Sequence, residues 1–308
     1  MKDKGIRLLT VEISSLGKQR QWQQGLGLLW AARKGGLELD VIVFSAAISA
    51  CEKGGQWQQA LTLLEDIRAA RLLPDVMCFN AAISACRLGA QWQRALSLLE
   101  DVYTARLQPS VITFSASISA CEKGGRWQQA WELLDAMRTA RIQPNVISFN
   151  AAISACEKGG RWQRALALLE AVRTERLEAN VIGFSAAISA CEKGGRWQRA
   201  LDLLLEMRAA RLQPNVISFN AAISACEKGG EAQQALDLLE DLRAACLEPD
   251  VISFNAAISA CAGDGRWQRS LALIEDMRAA CLQPSVISFN AVISACEKAG
   301  RVQPLAST

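Results

Sequence analysis

Two positions in this sequence carry small hydrogen-bonding side chains at a fixed spacing, and they vary while the residues around them stay nearly constant. With Val41 as position 1 of a 35-residue period, position 5 alternates between Asn and Ser, and position 35 holds Asp, Asn or Ser. Asn offers a donor and an acceptor, Ser offers a hydroxyl and Asp only accepts, so two such residues can choose among nucleobase edges. The position-5 residues are Thr10, Ser45, Asn80, Ser115, Asn150, Ser185, Asn220, Asn255 and Asn290, and the position-35 residues are Asp40, Asp75, Ser110, Asn145, Asn180, Asn215, Asp250 and Ser285.

Helix capping is the alternative explanation for both positions. Ser, Asn and Asp begin helices well, and position 35 directly precedes a predicted helix. Capping explains the residue types. It does not explain why position 5 alternates where Ser148 or Ser218, at position 3, could already cap. Both interpretations stay open at the level of the residues.

Catalytic and metal chemistry find little support in the composition. The chain has no histidine, which excludes Ser-His-Asp and Cys-His catalysis and histidine-ligated metals. Eleven cysteines are present, but no C-x-x-C pair occurs, and eight of them are position 11 repeated. We therefore expect no enzyme, metal or cofactor, and we interpret the repeated cysteines as small buried core residues in a reducing compartment.

Charge and hydropathy exclude further classes. The net charge of +3, from 34 basic and 31 acidic residues, is too small to indicate a nucleic-acid partner by itself. No run of 18 apolar residues occurs, so we expect no membrane partner. The first residues, MKDKGIRLLT, resemble neither a signal peptide nor a transit peptide.

The period itself predicts the architecture. Seven complete copies occupy residues 41–285, a degenerate copy at 6–40 lies within the N-terminal segment 1–40, and a partial copy with a tail fills 286–308. In each copy, apolar residues at positions 4, 8 and 11 form one helical stripe, which two glycines end in most copies. In most copies a second stripe begins with Trp at position 17, and Pro at position 34 is expected to end it. Helical hairpins of this kind stack into an all-α solenoid, and the repeated Phe at position 4 is expected to pack between them.

The last copy lacks its second helix. After Gly300 the pattern stops at Pro304, so one face of the final hairpin is predicted to lack its usual partner. We expect that the native chain continues at that end, or that a capping partner or a second copy covers it.

The residues V-x-x-F-N/S, E-K-G-G, A-L-x-L-L-E-x-M-R and P-D/N, in this order and period over residues 6–298, resemble the pentatricopeptide repeat family. The resemblance implies a P-type array without an appended catalytic domain, wound as a right-handed superhelix. It implies single-stranded RNA as the partner, bound at one base per repeat in a plastid or mitochondrion for RNA processing, stability or translation. Two departures stand out: Arg or Cys replaces the usual Gly at position 31, and Trp occupies position 17.

The same resemblance assigns roles to three sets of positions. Positions 5 and 35 select the base, and their pairs imply the ligand 5′-(G)GCAYAUC-3′. Position 2 is implied to sandwich the base, with helix-entry packing as the alternative, in Ile42, Met77, Ile112, Ile147, Ile182, Ile217, Ile252 and Ile287. Position 13 is implied to contact phosphate, with a solvated helix-end charge as the alternative, in Lys18, Lys53, Lys123, Lys158, Lys193, Lys228 and Lys298.

About five phosphate contacts predict that the logarithm of the RNA affinity falls with the logarithm of the salt concentration with a slope near −3.5, at roughly −0.7 per contact for a single strand.

A peptide-binding scaffold is the alternative function for such an array. A scaffold gives no reason for a paired two-position alphabet.

Overall fold

The computed structural model of the protein describes residues 2–300, with side chains from residue 5 onward. The described residues form 17 α-helices and no strand. The helices are α1 Lys2–Lys18, α2 Trp22–Lys34, α3 Val41–Lys53, α4 Trp57–Ala69, α5 Val76–Leu88, α6 Trp92–Thr104, α7 Val111–Lys123, α8 Trp127–Thr139, α9 Val146–Lys158, α10 Trp162–Thr174, α11 Val181–Lys193, α12 Trp197–Ala209, α13 Val216–Gly229, α14 Ala232–Ala244, α15 Val251–Gly263, α16 Trp267–Ala279 and α17 Val286–Lys298.

Each complete repeat is a hairpin of two short helices, as the pattern predicts. The first helix covers positions 1–13 in most copies and the second covers positions 17–29. In the repeat that begins with α11, Gly194 follows the helix with a φ of −82°, and Gly195 then turns the chain with a φ of 64°. Only the second glycine needs the left-handed region that glycine enters without steric cost. The degenerate copy differs, because α1 begins at Lys2, four residues before its position 1.

The end of the second helix corrects one prediction. The helix stops at position 29, five residues before the proline, and the chain turns at position 31 in the left-handed region. The proline is therefore not the residue that ends the helix. Arginine adopts here the conformation that glycine favours, with φ values of 55–58° at Arg71, Arg106, Arg141, Arg176 and Arg211. The replacement of glycine thus leaves this left-handed turn in place.

The chain divides into two compact units, Met1–Ala155 and Cys156–Thr308, and the boundary falls inside α9. In the first unit, α1, α3, α5 and α7 pack side by side in chain order, and α2, α4 and α6 each contact the first helix of their own and of the next hairpin. In the second unit, α11, α13, α15 and α17 form the corresponding layer, with α12, α14 and α16 packed against it. Each unit is a solenoid of stacked hairpins, while the right-handed superhelix stays a prediction.

The repeated apolar positions form the core. Seven of the eight phenylalanines at position 4, from Phe44 to Phe254, are at most 2% exposed, which confirms their packing role. Seven of the eight cysteines at position 11 are buried as well. Burial raises the pKa of Cys121 to about 12 and that of Cys191 to about 11, so both thiols stay neutral near pH 7.

The packing loosens at α17, where Phe289 is 44% and Ile293 51% exposed. The predicted Pro304 terminus lies outside the described residues, and a capping partner stays a prediction. Among residues 2–300, no helix combines the length and the apolar character that crossing a bilayer requires.

Candidate nucleic-acid interface

Position 35 is the N-cap of every first helix from α3 onward. Asp75 Oδ1 accepts the backbone N–H of Cys78 at 2.8 Å, and Asn215 Oδ1 accepts that of Ser218 at 2.9 Å. The six other residues make the equivalent bond, namely Asp40, Ser110, Asn145, Asn180, Asp250 and Ser285. The capping interpretation is therefore right for position 35. It occupies one acceptor of each side chain and leaves the remaining polar atoms for other contacts.

Position 5 lies beside position 35 of its own repeat, although 30 residues separate them. Asn220 Nδ2 donates to both carboxylate oxygens of Asp250, at 3.0 and 3.2 Å. Asn255 Nδ2 donates to Ser285 Oγ at 3.5 Å, and Ser115 Oγ donates to Asn145 Oδ1 at the same distance. Position 5 does not cap any helix, because it lies at the start of the second helical turn. The structure thus brings the two varying positions together in these three repeats.

These side chains lie in the seam between neighbouring first helices. Ser115, Asn150, Ser185 and Asn220 are 7–9% exposed, so only a small part of each residue reaches solvent. Ser45, Asn80 and Asn255 are half-buried, and Asn290 on the terminal helix is exposed.

Thr10 of the degenerate copy donates its hydroxyl to the Ile6 carbonyl oxygen at 2.9 Å within α1. Ser185 Oγ makes the equivalent bond to the Val181 carbonyl oxygen at 2.7 Å within α11. Because α1 begins upstream of the repeat pattern, Thr10 does not lie near a helix start.

An apolar stripe borders the polar pairs. Position 2 precedes position 5 by three residues and lies on the same helix face. Its side chains are 60–68% exposed in Ile42, Met77, Ile112, Ile147, Ile182, Ile217, Ile252 and Ile287. Aliphatic side chains of this size are usually buried, and these take no part in the core. Helix-entry packing does not account for them.

The lysines at position 13 lie three turns further along that face, about 16 Å from position 2 along the helix axis. Lys193 Nζ contacts Glu157 Oε1 at 2.7 Å, and Lys228 Nζ contacts Glu192 Oε1 at 2.5 Å. Both glutamates occupy position 12 of the preceding repeat. For Lys298, position 12 of the preceding repeat is Ala262, which has no carboxylate. Lys298 Nζ donates instead to the Gly263 carbonyl oxygen at 3.2 Å.

The glutamates at position 12 lower the positive charge of this surface. Burial raises the pKa of Glu227 above its ordinary value, against the opposing effect of Lys228. Lys18, Lys53, Lys123 and Lys158 are exposed at the ends of their helices. The lysines are predicted from the sequence and these glutamates are not, although the E-K-G-G motif places the two side by side.

A third polar position makes a contact that the sequence does not predict. Position 3 is expected only as a possible cap, yet the hydroxyls of Ser218, Ser253 and Ser288 contact position 5 of the preceding repeat. Ser253 Oγ donates to Asn220 Oδ1 at 2.5 Å, and Ser185 Oγ and Ser218 Oγ lie 3.1 Å apart. These partners are 33 residues apart, so only the stacking of hairpins brings them together.

Comparison with known proteins identifies the repeat. The sequence profile of the pentatricopeptide repeat domain matches residues 28–87, 97–159, 167–229 and 237–299. The profile of the single PPR repeat matches residues 147–177 and 217–246. No curated protein sequence matches the chain.

Solved structures share the fold at low sequence identity. The crystal structure of the pentatricopeptide repeat protein PPR10 from maize is 22% identical, with a TM-score of 0.58, over 97% of this chain and 48% of that one. PPR10 in complex with an 18-nt psaJ RNA element is 15% identical, with a TM-score of 0.52, over 96% and 53% of the two chains. The PPR domain of protein-only RNase P 1 from Arabidopsis thaliana, in complex with tRNA, is 16% identical, with a TM-score of 0.53, over 58% and 95%. The chain thus spans about half the length of PPR10.

Proposed function

Because the chain belongs to the pentatricopeptide repeat family, we propose that its first helices bind single-stranded RNA, one nucleotide per repeat and without catalysis. The observation that carries this proposal is the exposed aliphatic stripe at position 2, which recurs in every complete copy on the same helix face as the polar position 5. A flat apolar base face fits between such side chains, and the base edge then meets polar groups. The RNA complexes of PPR10 and of the RNase P domain support the choice of ligand.

The hydrogen bonds that Asn220 makes determine which donor hydrogens and acceptor lone pairs of its amide remain unused. An asparagine amide has two donor hydrogens and two acceptor lone pairs. Asp250 takes one hydrogen of Asn220, and the Ser253 hydroxyl takes one lone pair. One donor and one acceptor remain, and they complement the N3–H and a neighbouring carbonyl of uracil. This agrees with uracil as the base that the family pattern assigns to an Asn and Asp pair.

Applied to all repeats, the family pattern gives 5′-(G)GCAYAUC-3′, with the N-terminal repeats at the 5′ side. The first G is the weakest assignment, because α1 begins upstream of the repeat pattern and Thr10 does not lie near a helix start. Through the same resemblance, we place this binding in a plastid or mitochondrion, where it would act in RNA processing, stability or translation.

Phosphate contacts require competition with glutamate. RNA phosphates must displace Glu157 from Lys193 and Glu192 from Lys228 before either lysine contributes fully. The salt slope should therefore be shallower than the value of about −3.5 expected for five free lysines.

The substitution Asn220→Ser tests base selection. We expect the wild-type protein to prefer U at nucleotide 7 of 5′-GGCACAUC-3′ and the variant to prefer G there. The variant should lose about 1–3 kcal/mol for U, the usual scale of a mismatched site. Fluorescence anisotropy with the four RNAs that differ at nucleotide 7 measures this directly.

Gln198→Ser on α12 is the matched control, because it places the same residue on an exposed second-helix position. It should leave the preference at nucleotide 7 unchanged. Binding of the wild-type protein to none of the RNAs would reject the proposal in favour of a protein-binding scaffold. Equal preferences in the wild-type protein and Asn220→Ser would reject base selection by position 5.

A further inference from the structure

We infer that a third side chain, at position 3 of the following repeat, fixes the amide orientation of a position-5 asparagine and so sets how strictly that repeat selects its base. The inference rests on the proposed RNA binding. It concerns a positioning residue, since position 3 is fully buried in Ser253 and Ser288 and would act through the asparagine.

The arrangement is complete around Asn220. The backbone N–H of Asp250 donates to Ser253 Oγ at 3.1 Å, which uses a lone pair of that hydroxyl. The Ser253 hydroxyl donates its proton to Asn220 Oδ1 at 2.5 Å, and Asp250 Oδ1 is a longer alternative acceptor at 3.0 Å. On the other side of the amide, the Asp250 carboxylate accepts from Nδ2. A rotated amide would place its NH₂ group against the serine donor and its oxygen against the carboxylate, so one orientation is enforced.

The same arrangement recurs around Asn255, where it matters more. Ser285 Oγ faces Asn255 Nδ2 at 3.5 Å, and a hydroxyl can accept or donate, so it does not fix the amide alone. Ser288 Oγ accepts the Ser285 backbone N–H at 3.0 Å, lies 3.2 Å from Ser285 Oγ and donates its own proton to Asn255 Oδ1 at 2.5 Å. In this repeat the orientation of the amide depends on the position-3 serine.

Asn80 lacks this support. The residue at the following position 3 is Thr113, whose Oγ1 accepts the Ser110 backbone N–H at 2.9 Å and lies 3.1 Å from Ser110 Oγ. Asn80 Oδ1 is buried, and no hydrogen-bond partner for it exists within the described part of the chain. Without a donor on the oxygen, the two amide orientations of Asn80 differ less in energy, and each presents a different edge to the base.

The chain therefore contains its own matched pair of repeats. Repeats 76–110 and 251–285 carry the same two selecting residues, Asn and Ser. They differ at the following position 3, which is Thr113 in one and Ser288 in the other, and at position 2, which is Met77 or Ile252. Both are assigned cytosine, at nucleotides 3 and 8. The role that we infer for position 3 predicts that the protein prefers C over U more strongly at nucleotide 8 than at nucleotide 3.

Reciprocal exchange of the two residues tests this directly. Ser288→Thr should lower the C-over-U affinity ratio at nucleotide 8 by about fivefold, the size of one neutral hydrogen bond. Thr113→Ser should raise the ratio at nucleotide 3 by a similar factor. Thr113 and Ser288 each complete a capping box with the N-cap serine of their own helix. Each exchange therefore creates a Ser and Thr or a Ser and Ser capping box that the protein already uses elsewhere. The readout is a ratio at one nucleotide, which a general loss of stability does not change.

The outcomes separate the two levels of the proposal. If the wild-type protein shows no base preference at any nucleotide, RNA selection fails and the inference fails with it. If preferences exist but neither exchange changes the ratio at its own nucleotide, only the role of position 3 is overturned. Ratios at nucleotide 5, measured with the same variants, should stay constant.

Discussion

At the scale of single residues, position 35 has two tasks in the structure: it caps the next helix and, in three repeats, it contacts position 5 of its own repeat. Its side chain caps the next helix, which restricts it to residues such as Asp, Asn and Ser. Within that restricted set, the chain varies the donor and acceptor pattern beside position 5. Asp250 illustrates both tasks, since it accepts backbone N–H groups of α15 and the amide of Asn220.

Arginine at position 31 carries a local conformational cost. A non-glycine residue in the left-handed region is disfavoured by roughly 1–2 kcal/mol, while glycine costs about 0.5–1 kcal/mol in chain entropy. We expect Arg211→Gly, at a φ of 58°, to raise the free energy of unfolding by about 0.5–1 kcal/mol. Urea denaturation measures the change.

The neighbouring substitution Ala210→Gly is the control for Arg211→Gly. Ala210 has a φ of −76°, so glycine relieves nothing there and should destabilise the protein. Equal destabilisation by both variants would show that the left-handed arginine is not strained.

At the scale of helices, tryptophan and glycine interlock between successive hairpins. A Cβ atom built on Gly194 would lie 2.3 Å from Cδ1 of Trp162, and one on Gly229 equally close to Trp197. Gly194 has an ordinary φ, so the missing side chain, and not backbone freedom, explains the glycine. Ala232 replaces the tryptophan once, and position 14 of the next repeat is then Asp264.

The substitution Ala232→Trp tests this interlock. Alone it should destabilise the protein by about 1–3 kcal/mol, because the indole meets the side chain of Asp264. Combined with Asp264→Gly, it should be tolerated, with a coupling of about 1–3 kcal/mol in a double-mutant cycle of unfolding free energies. Additive effects of the two substitutions would contradict the interlock. The terminal hairpin is an exception to the tryptophan and glycine pattern, because Ala299 occupies position 14 in the repeat that follows Trp267. This hairpin belongs to the loosely packed end of the second unit.

The lysine and glutamate pairs connect successive first helices, and under the proposed RNA binding we expect them to lower RNA affinity. Glu192→Gln removes the carboxylate that holds Lys228 and frees the lysine for phosphate. We expect tighter RNA binding at low salt and a log–log salt slope steeper by about 0.7, the value of one added contact. Salt titrations of RNA affinity measure this effect.

Glu206→Gln is the control for Glu192→Gln, because Glu206 pairs with Arg173 on the second helices. It removes the same charge and should leave the salt slope unchanged. If the two variants behave alike, the change reflects net charge and not the release of Lys228.

At the scale of the molecule, the repeat period was sufficient to predict the helices, their buried faces and the hairpin stacking within each unit. Phe149, Ile153 and Cys156 are buried where the stripe predicted them. Contacts between repeats were not predictable in the same way. Ser253 with Asn220 and Lys228 with Glu192 join residues 33 and 36 positions apart, and periodicity within one helix does not show which side chains face each other across a seam.

The turn at position 31 was not predictable either. Propensity favours glycine in the left-handed region, and the packing of the hairpins imposes that conformation on arginine instead.

The most direct test of the claim that each repeat recognises one nucleotide is a selection of bound RNAs from a random pool. The selection compares the wild-type protein with a variant in which two adjacent repeats exchange their residues at positions 5 and 35. The variant carries Ser185→Asn, Asn215→Asp, Asn220→Ser and Asp250→Asn, which keeps every cap. The wild-type protein should enrich RNAs with GCAYAUC, and the variant should enrich GCAYUAC. The same enriched sequence for both proteins, or none for either, would contradict base selection by positions 5 and 35.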